Sequence, residues 1–348
     1  IHHRLEDLPT FRNAVITFGS FDGVHHGHGE LVELMKSEAV SIEGETVVVT
    51  FEPHPRQIIY PGAKDLKLLS SKDEKIHLFK NLEIDHLVFC PFTIEFSQIS
   101  ADEYISNFII DRFHPKLIVI GYDHRFGQNR TGNIDFLKSY EASGGFKVIE
   151  LAAQMSERIK VSSTKIRNYL SDGQIELANK LLGHPYVIGG KVIRGKQIGE
   201  QLGYPTANLH FDATLKLVPP QGIYAVHIHI GAEKYEGMLY IGNRPSVASD
   251  GKQSVEVNIF NFNEDIYGEY ILVELLKFMR DDKVFKNLEL LRLQLDEDKR
   301  GVLDFFQNDE GPNSVAVVIL NYNGLHHLQK HLSSVIRHTA AKIIVADN

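Results

Sequence analysis

A chain of 348 residues, 43% hydrophobic and 24% charged, has the make-up of a folded globular protein of about two domains, which excludes disorder along its whole length. A formal charge of −8 excludes a bulk basic surface for nucleic acid or anionic membrane, though not a local basic site. The single cysteine, Cys90, cannot form an internal disulfide and points to a reducing, cytoplasmic home. Apolar runs such as Val315–Leu320 are far shorter than the ~18–20 residues of a membrane helix. Residues 1–13 are polar and charged, without the pattern of a signal peptide, and a start at Ile1 predicts that a few residues precede it.

Short β-rich runs at Ala14–Phe18, Thr46–Phe51, His86–Cys90 and Leu117–Gly121 predict strands. Helical spacing predicts helices over Gly29–Ala39, Ala101–Arg112 and Ile134–Ser143. Strands separated by helices predict a parallel sheet covered on both faces. A helical pair, Ser163–Leu170 and Ile175–Leu182, closes this half; Gly183 stops it and His184–Pro185 marks a break. Beyond it, Val187–Ile193, Ile223–Ile230, Lys234–Ile241, Ser254–Phe260 and Tyr270–Leu276 are β-rich and separated by glycines and prolines, the texture of a small antiparallel barrel. A helix over Asn287–Leu295, a linker over Asn308–Asn313 and a strand–helix–strand pattern over Ser314–Asn348 complete the chain. The expected organisation is residues 1–183, 184–309 and 310–348.

The first strand runs into Phe18-Gly19-Ser20-Phe21-Asp22-Gly23-Val24-His25-His26-Gly27-His28-Gly29. Parallel sheets bind ligands at the carboxyl ends of their strands, beside helix N-termini. Glycines there let backbone approach a phosphate, and the helix end favours an anion. His25 and His28 lie three apart across Gly27, so both imidazoles can face one ligand and donate to a phosphoryl group gaining charge. A metal pair or plain surface histidines are the alternative, since the chain has 18 histidines.

This stretch resembles the HxGH signature of the nucleotidyltransferase superfamily, in the form found in the prokaryotic bifunctional riboflavin kinase/FMN adenylyltransferases. Three further stretches resemble that family in order: Thr50-Phe51-Glu52-Pro53-His54-Pro55, Gly121-Tyr122-Asp123-His124-Arg125-Phe126-Gly127, and Ser162-Ser163-Thr164-Lys165-Ile166-Arg167. The resemblance implies that Gly19, Phe21, Asp22, Gly23 and Gly27 belong to the ATP site. His54, Asp123, Arg125 and Phe126 then lie on the flavin side. Phe is common in the family at the position of His124, a departure that leaves the role of His124 open. Ser163 and Thr164 can cap a helix or hold phosphate, and Arg167, one turn on, supplies a fixed cation. Lys165 is expected to point outward.

In Gly203-Tyr204-Pro205-Thr206-Ala207-Asn208, an extended backbone puts Thr206 and Asn208 on one side. A hydroxyl and an amide oxygen are hard ligands suited to Mg²⁺ carrying nucleotide phosphates; an Asn/Thr turn is the alternative. Along Ser254–Phe260, Val255, Val257 and Ile259 face one side, and Ser254, Glu256 and Asn258 the other. Glu256 is therefore a carboxylate on a fixed strand, placed either to take a proton or simply to face solvent. Residues from about Pro185 to Asp309 resemble the riboflavin kinase module of the same family. The matching stretches include Gly189-Gly190-Lys191-Val192, Gly195, Leu202–Asn208, Gly222-Ile223-Tyr224, Ile241-Gly242-Asn243-Arg244-Pro245, Val255-Glu256-Val257 and Tyr267-Gly268. The resemblance implies Thr206 and Asn208 at magnesium and phosphate, Glu256 as base, and Gly190, Lys191 and Gly195 near ATP. Ser246 stands where the family commonly has Thr.

The two resemblances imply an α/β chain with a Rossmann-like nucleotidyltransferase domain followed by a riboflavin kinase barrel. The activity implied is riboflavin to FMN, then FMN to FAD. The partners implied are riboflavin, FMN, ATP and Mg²⁺, with no nucleic acid and no membrane. An aminoacyl-tRNA synthetase-like adenylating protein also uses an HxGH turn, but the acidic balance and the lack of a basic RNA-binding domain argue against it. A non-catalytic flavin-binding relative is the other rival; it would be expected to lose the histidines or the glutamate, all present here. Val315–Leu320, Asn321-Tyr322-Asn323-Gly324 and Ile343–Asn348, with Asp347, resemble the opening of nucleotide-sugar glycosyltransferases. A lone strand–helix–strand buries too little surface to make an enzyme, so the tail is assigned no activity.

Overall fold

The computed structural model describes residues 1–60, 67–121, 124–151, 163–195, 198–212, 215–243, 253–309, 316–321 and 342–347. They fall into two compact units, Ile1–Lys286 and Asn287–Asn348.

The first unit opens with five parallel strands: β1 (Val15–Gly19), β2 (Thr46–Glu52), β3 (His86–Pro91), β4 (Leu117–Gly121) and β5 (Lys147–Leu151). Their order is β3-β2-β1-β4-β5. Alternation along the strands supplies two apolar layers. Ile16, Val47, Val88 and Ile118 enter one cluster, and Val15, Val48, Leu87 and Leu117 the other. The order reverses between β1 and β4, so the crevice at their carboxyl ends is the ligand position of an open α/β sheet. The motif following β1 sits there.

Six antiparallel strands then close a barrel: β6 (Tyr186–Ile193), β7 (Ala207–His210), β8 (Gly222–Ile230), β9 (Glu233–Asn243), β10 (Gln253–Ile259) and β11 (Tyr270–Asp281). The order is β10-β7-β6-β11-β8-β9. Val255 and Val257 point into its core. The helical pair ahead of the break adds Ile166, Leu170, Ile175 and Leu182 to that same apolar cluster.

The parallel-sheet region and the barrel share a buried joint. Helix α3 (Lys72–Asn81) begins with a capping box, in which Ser71 N donates to Glu74 Oε2 at 2.7 Å and Glu74 N donates to Ser71 Oγ at 3.3 Å. Lys216 Nζ donates to the same Glu74 oxygen at 2.6 Å, and to the carbonyls of Leu69 and Val187 at 2.7 Å each. Gly189 N donates to Glu74 Oε1 at 2.7 Å. Residue 68 also bridges to residue 216 through Leu68 N→Leu215 O and Leu217 N→Leu68 O.

Some expected elements differ. Helix α1 (His26–Ser41) starts three residues before Gly29, because His25 is its extended N-cap. The helix expected over Ile134–Ser143 is two short ones, Ile134–Lys138 and Glu141–Gly144. The helix expected to end at Leu295 runs over Leu288–Asp309, so Asn308 and Asp309 are helical rather than linker. The charged run Asp296–Arg300 hides a continuing helical repeat, in which Val302 and Phe306, four apart, are buried. Strands β5 and β7 and helix α3 were not anticipated. In the second unit, β12 (Ala316–Asn321) and β13 (Lys342–Asp347) pair in parallel, with Asn321 opposite Asp347.

Candidate active sites

The turn after β1 is held in unusual backbone. Phe21, Gly23 and Val24 have φ of +45°, +81° and +39°. A β-branched residue such as Val24 rarely adopts that region, and such strain persists only where the surroundings over-determine it. Here the ties are many. Asp22 Oδ1 accepts from Leu69 N and Ser70 N at 2.8 and 3.2 Å, and Gly23 N donates to Ser70 Oγ at 2.9 Å. Thr50 Oγ1 donates to Ser20 O at 3.2 Å, and His184, from the break, lies with Nε2 3.0 Å from Gly23 O.

The product is a stacked pair of imidazoles. The His25 and His28 rings lie 3.8 Å apart at 13°, with no side-chain cap on the helix start between them. Both His25 ring nitrogens and His28 Nδ1 are buried without a hydrogen-bond partner. Burial pushes His25 down to about 4 and His28 well below the ordinary histidine value. Both are therefore neutral in the free protein at neutral pH. Buried polar atoms are ordinarily partnered, so three orphaned nitrogens at a strained turn mark a place kept for a ligand.

Arg167 is fixed from three sides. Its Nη2 pairs with Asp22 Oδ2, Nε donates to Lys67 O at 3.0 Å, and Nη1 donates to Ser163 O at 3.1 Å. Asp22 is thereby paired within the protein, to Arg167 and to the backbone of Leu69 and Ser70. Phe21 is buried, edge-on to His28 with centroids 5.0 Å apart; an added Cβ at Gly19 would press on its ring at 3.1 Å. Gly27 is buried within α1.

His54 is buried and caps helix α2 (Pro55–Ile59), accepting from Arg56 N at 3.2 Å; burial lowers it to about 4, against the pull of Asp22. Phe126 is packed in the core, stacked on Tyr104 with centroids 5.0 Å apart, whereas Arg125 is exposed. Asp123, expected on the flavin side, lies outside the described residues. Ser163 is half-buried; Thr164 and Lys165 are exposed at the start of helix 163–171.

On the barrel's outer face, Glu256 stands opposite Asn208 in β7 and Tyr240 in β9. Thr206 Oγ1 donates to Glu256 Oε2 at 3.2 Å, and Ser254 Oγ donates to Oε1 at 2.8 Å. Asn258 Nδ2 donates to Pro205 O at 2.7 Å, which pins the backbone just before Thr206. A Cβ at Gly195 would overlap the Asn208 amide, so that loop closes directly on it. Lys191 is exposed, and Gly190 is backed by His210 O and Leu209. Ser254 and Tyr240 were not singled out beforehand. Ser254 could have been, since it shares the outward face of β10 with Glu256. Tyr240 is pushed up to about 12 by burial and by Asp282, to which its hydroxyl donates at 3.2 Å.

A phosphate-type turn at a sheet switch point, joined to a barrel carrying Thr, Asn and Glu, defines a two-site nucleotide-using transferase. The comparisons agree. A family model described as FAD synthetase matches residues 8–165, and one described as riboflavin kinase matches residues 182–306. The bifunctional riboflavin kinase/FMN adenylyltransferase of Buchnera aphidicola (subsp. Schizaphis graminum) is 38% identical, over 87% of this chain and 97% of its own length. That of Listeria monocytogenes is 34% identical over 88% and 97%, and that of Escherichia coli K12 is 31% identical over 87% and 96%. A solved Streptococcus pneumoniae structure, titled a macrolide-efflux protein, superposes with a TM-score of 0.72 at 32% identity, covering 86% of this chain and 98% of that one. The chain belongs to the bifunctional riboflavin kinase/FMN adenylyltransferase family.

Proposed function

We propose that the barrel transfers the γ-phosphoryl group of ATP to the terminal ribityl hydroxyl of riboflavin, and that the parallel-sheet region then joins the resulting FMN to the adenylyl group of a second ATP. The first step gives FMN and ADP, the second FAD and pyrophosphate. The observation that carries the reading is the Thr206–Glu256–Ser254 cluster facing Asn208, on the same chain as the unpartnered His25–His28 pair.

In the kinase step, Glu256 takes the hydroxyl proton as the ribityl oxygen bonds to the γ-phosphorus and the bond to ADP breaks. The Thr206 and Ser254 hydroxyls hold the carboxylate in one orientation, so no side-chain freedom is lost as the reaction proceeds. The Thr206 and Asn208 side chains are hard oxygen donors on a fixed strand and would hold Mg²⁺, which offsets phosphate charge when bound. Gly190, Lys191 and Gly195 line the approach for ATP.

In the adenylyl step, an FMN phosphate oxygen attacks the α-phosphorus and pyrophosphate leaves, so no protein nucleophile is required. The neutral His25 and His28 rings donate N–H to the phosphoryl oxygens as charge grows there. Arg167, held in place by Asp22, and the helix start at Ser163 and Thr164 receive the departing pyrophosphate. His54, Arg125 and Asp123 are assigned to the flavin side. The domains are assigned as 1–183 for adenylyl transfer, 184–309 for the kinase and 310–348 as an appendage without activity. The lone cysteine supports a cytoplasmic placement.

Efflux, the activity in the name of the Streptococcus pneumoniae protein, is not proposed for this chain. Among the described residues no helix is long and apolar enough to cross a membrane. Chromatography of flavins after incubation with riboflavin, ATP and Mg²⁺ tests the proposal: FMN and FAD should both appear, and the absence of both overturns it.

A further inference from the structure

Where helix α3 meets the barrel's outer face, three metal-type ligands converge, none of them a residue assigned to either site above. His77 comes from α3, His229 from β8 and Glu274 from β11. One ligand atom of each lies within 4.8 Å of the other two, and all three side chains are half-buried or nearly buried. We propose that His77, His229 and Glu274 bind a divalent transition-metal ion of the zinc type, which ties the parallel-sheet region to the barrel.

The donor set supports this choice. Two imidazoles and one carboxylate are borderline ligands that suit zinc, cobalt or nickel and do not suit magnesium or calcium, which take oxygen. Three protein ligands leave a fourth tetrahedral position for water. Ligand atoms across a zinc tetrahedron are ~3.3 Å apart, given bonds of ~2.0–2.1 Å. Modest rotation of a half-exposed histidine and a long glutamate closes the remaining gap.

The local chemistry supports it further. His229 Nε2 is buried and lies 2.9 Å from Glu274 Oε1 without hydrogen-bond geometry, so the imidazole and the carboxylate already stand side by side as two ligands of one ion would. The His77 and His229 rings are tilted at 58° with centroids 5.3 Å apart, so they are not stacked against each other. The Glu274 carboxylate is faced by His227, His229 and Lys234. Lys234 Nζ and His227 Nδ1 lie 3.6 and 3.7 Å from Oε2, which leaves Oε1 on the side of His229. Asn81 Nδ2, one turn along α3, lies 3.4 Å from His77 Nε2 and orients that ring.

The test uses the full chain, stripped with a chelator. Titration with Zn²⁺ should show a site whose affinity falls at least ~10-fold in His77→Gln and in Glu274→Gln. It should be unchanged in His28→Ala, which controls for binding at the stacked histidines. Co²⁺ should give the visible bands of a tetrahedral site in the wild-type chain but not in His77→Gln. Zn²⁺ should also raise the thermal midpoint of the wild-type chain, since the ion binds only the folded state well. If a variant fails to fold, anomalous scattering from zinc-soaked wild-type crystals decides, with a peak expected between the three side chains. No Zn²⁺ binding, an anomalous peak elsewhere, or loss of binding in His28→Ala with retention in His77→Gln overturns the proposal.

Discussion

The two candidate sites solve the same problem, charge moving on a phosphate, with opposite use of hydrogen bonds. At the barrel, Glu256 already accepts from Thr206 and Ser254, and the site is organised by bonds it makes to itself. At the parallel sheet, the bonds are spent one layer away. Asp22, Ser70, Thr50 and His184 fix the turn, while the His25 nitrogens and His28 Nδ1 go without partners. In the proposed kinase step the barrel holds a base ready for a proton. In the proposed adenylyl step the sheet keeps neutral donors for charge that appears only in the transition state. A satisfied carboxylate suits the first need and a desolvated imidazole pair the second.

The comparison breaks most visibly at Glu256. Glu256→Gln keeps the strand and the side-chain size but removes the base, and should cut riboflavin phosphorylation by ~10²–10⁴-fold while FMN supplied directly still becomes FAD. His28→Ala should do the reverse, lowering FAD formation from FMN by ~10²–10³-fold with FMN synthesis intact. Both effects are read from half-reactions run separately on folded protein.

Next in size is the joint between the regions. Lys216→Ala leaves the buried Glu74 carboxylate without its cation and the Leu69 and Val187 carbonyls without their donor. A loss of about 3–5 kcal/mol is expected in denaturant unfolding. A change below 1 kcal/mol would show that the joint contributes little.

Smaller again is the effect expected from the buried histidines. His25 and His54 are held at about 4 in the folded chain, against 6.5 for a free histidine. The unfolded chain therefore takes up protons that the folded chain refuses, so stability is full above pH 6.5 and drains away as pH falls towards 4. Between pH 7.5 and 5 each such ring should cost about 2 kcal/mol of unfolding free energy. His25→Asn should flatten that slope; an unchanged slope would mean that the ring is not desolvated.

How much of this was visible in the sequence depended on the range of the signal. Strand parity is local, so Glu256 and Ser254 on one face of β10 and Val255 and Val257 on the other could be read directly. The glycine- and histidine-rich turn was equally plain, because residue type and order alone mark it. Helix α3 went unseen although Ser71 and Glu74 carry its capping box, since its interior is polar and Lys75 is buried against pattern. The pairing of Arg167 with Asp22 spans 145 positions and that of Lys216 with Glu74 spans 142, and no periodicity reports contacts of that range. The turn itself shows Asp22 as a carboxylate beside a phosphate-type glycine, and only the folded chain shows its pairing with Arg167.

Each site is proposed to perform one step and to release its product to the other, and mixing two variants separates the steps. Neither Glu256→Gln nor His28→Ala alone should convert riboflavin and ATP to FAD at an appreciable rate. An equimolar mixture should do so, because FMN made on the intact barrel of His28→Ala can be adenylylated on the intact turn of Glu256→Gln. If each variant retains its own half-reaction yet the mixture makes no FAD, or if either substitution abolishes both half-reactions, the division of labour is contradicted.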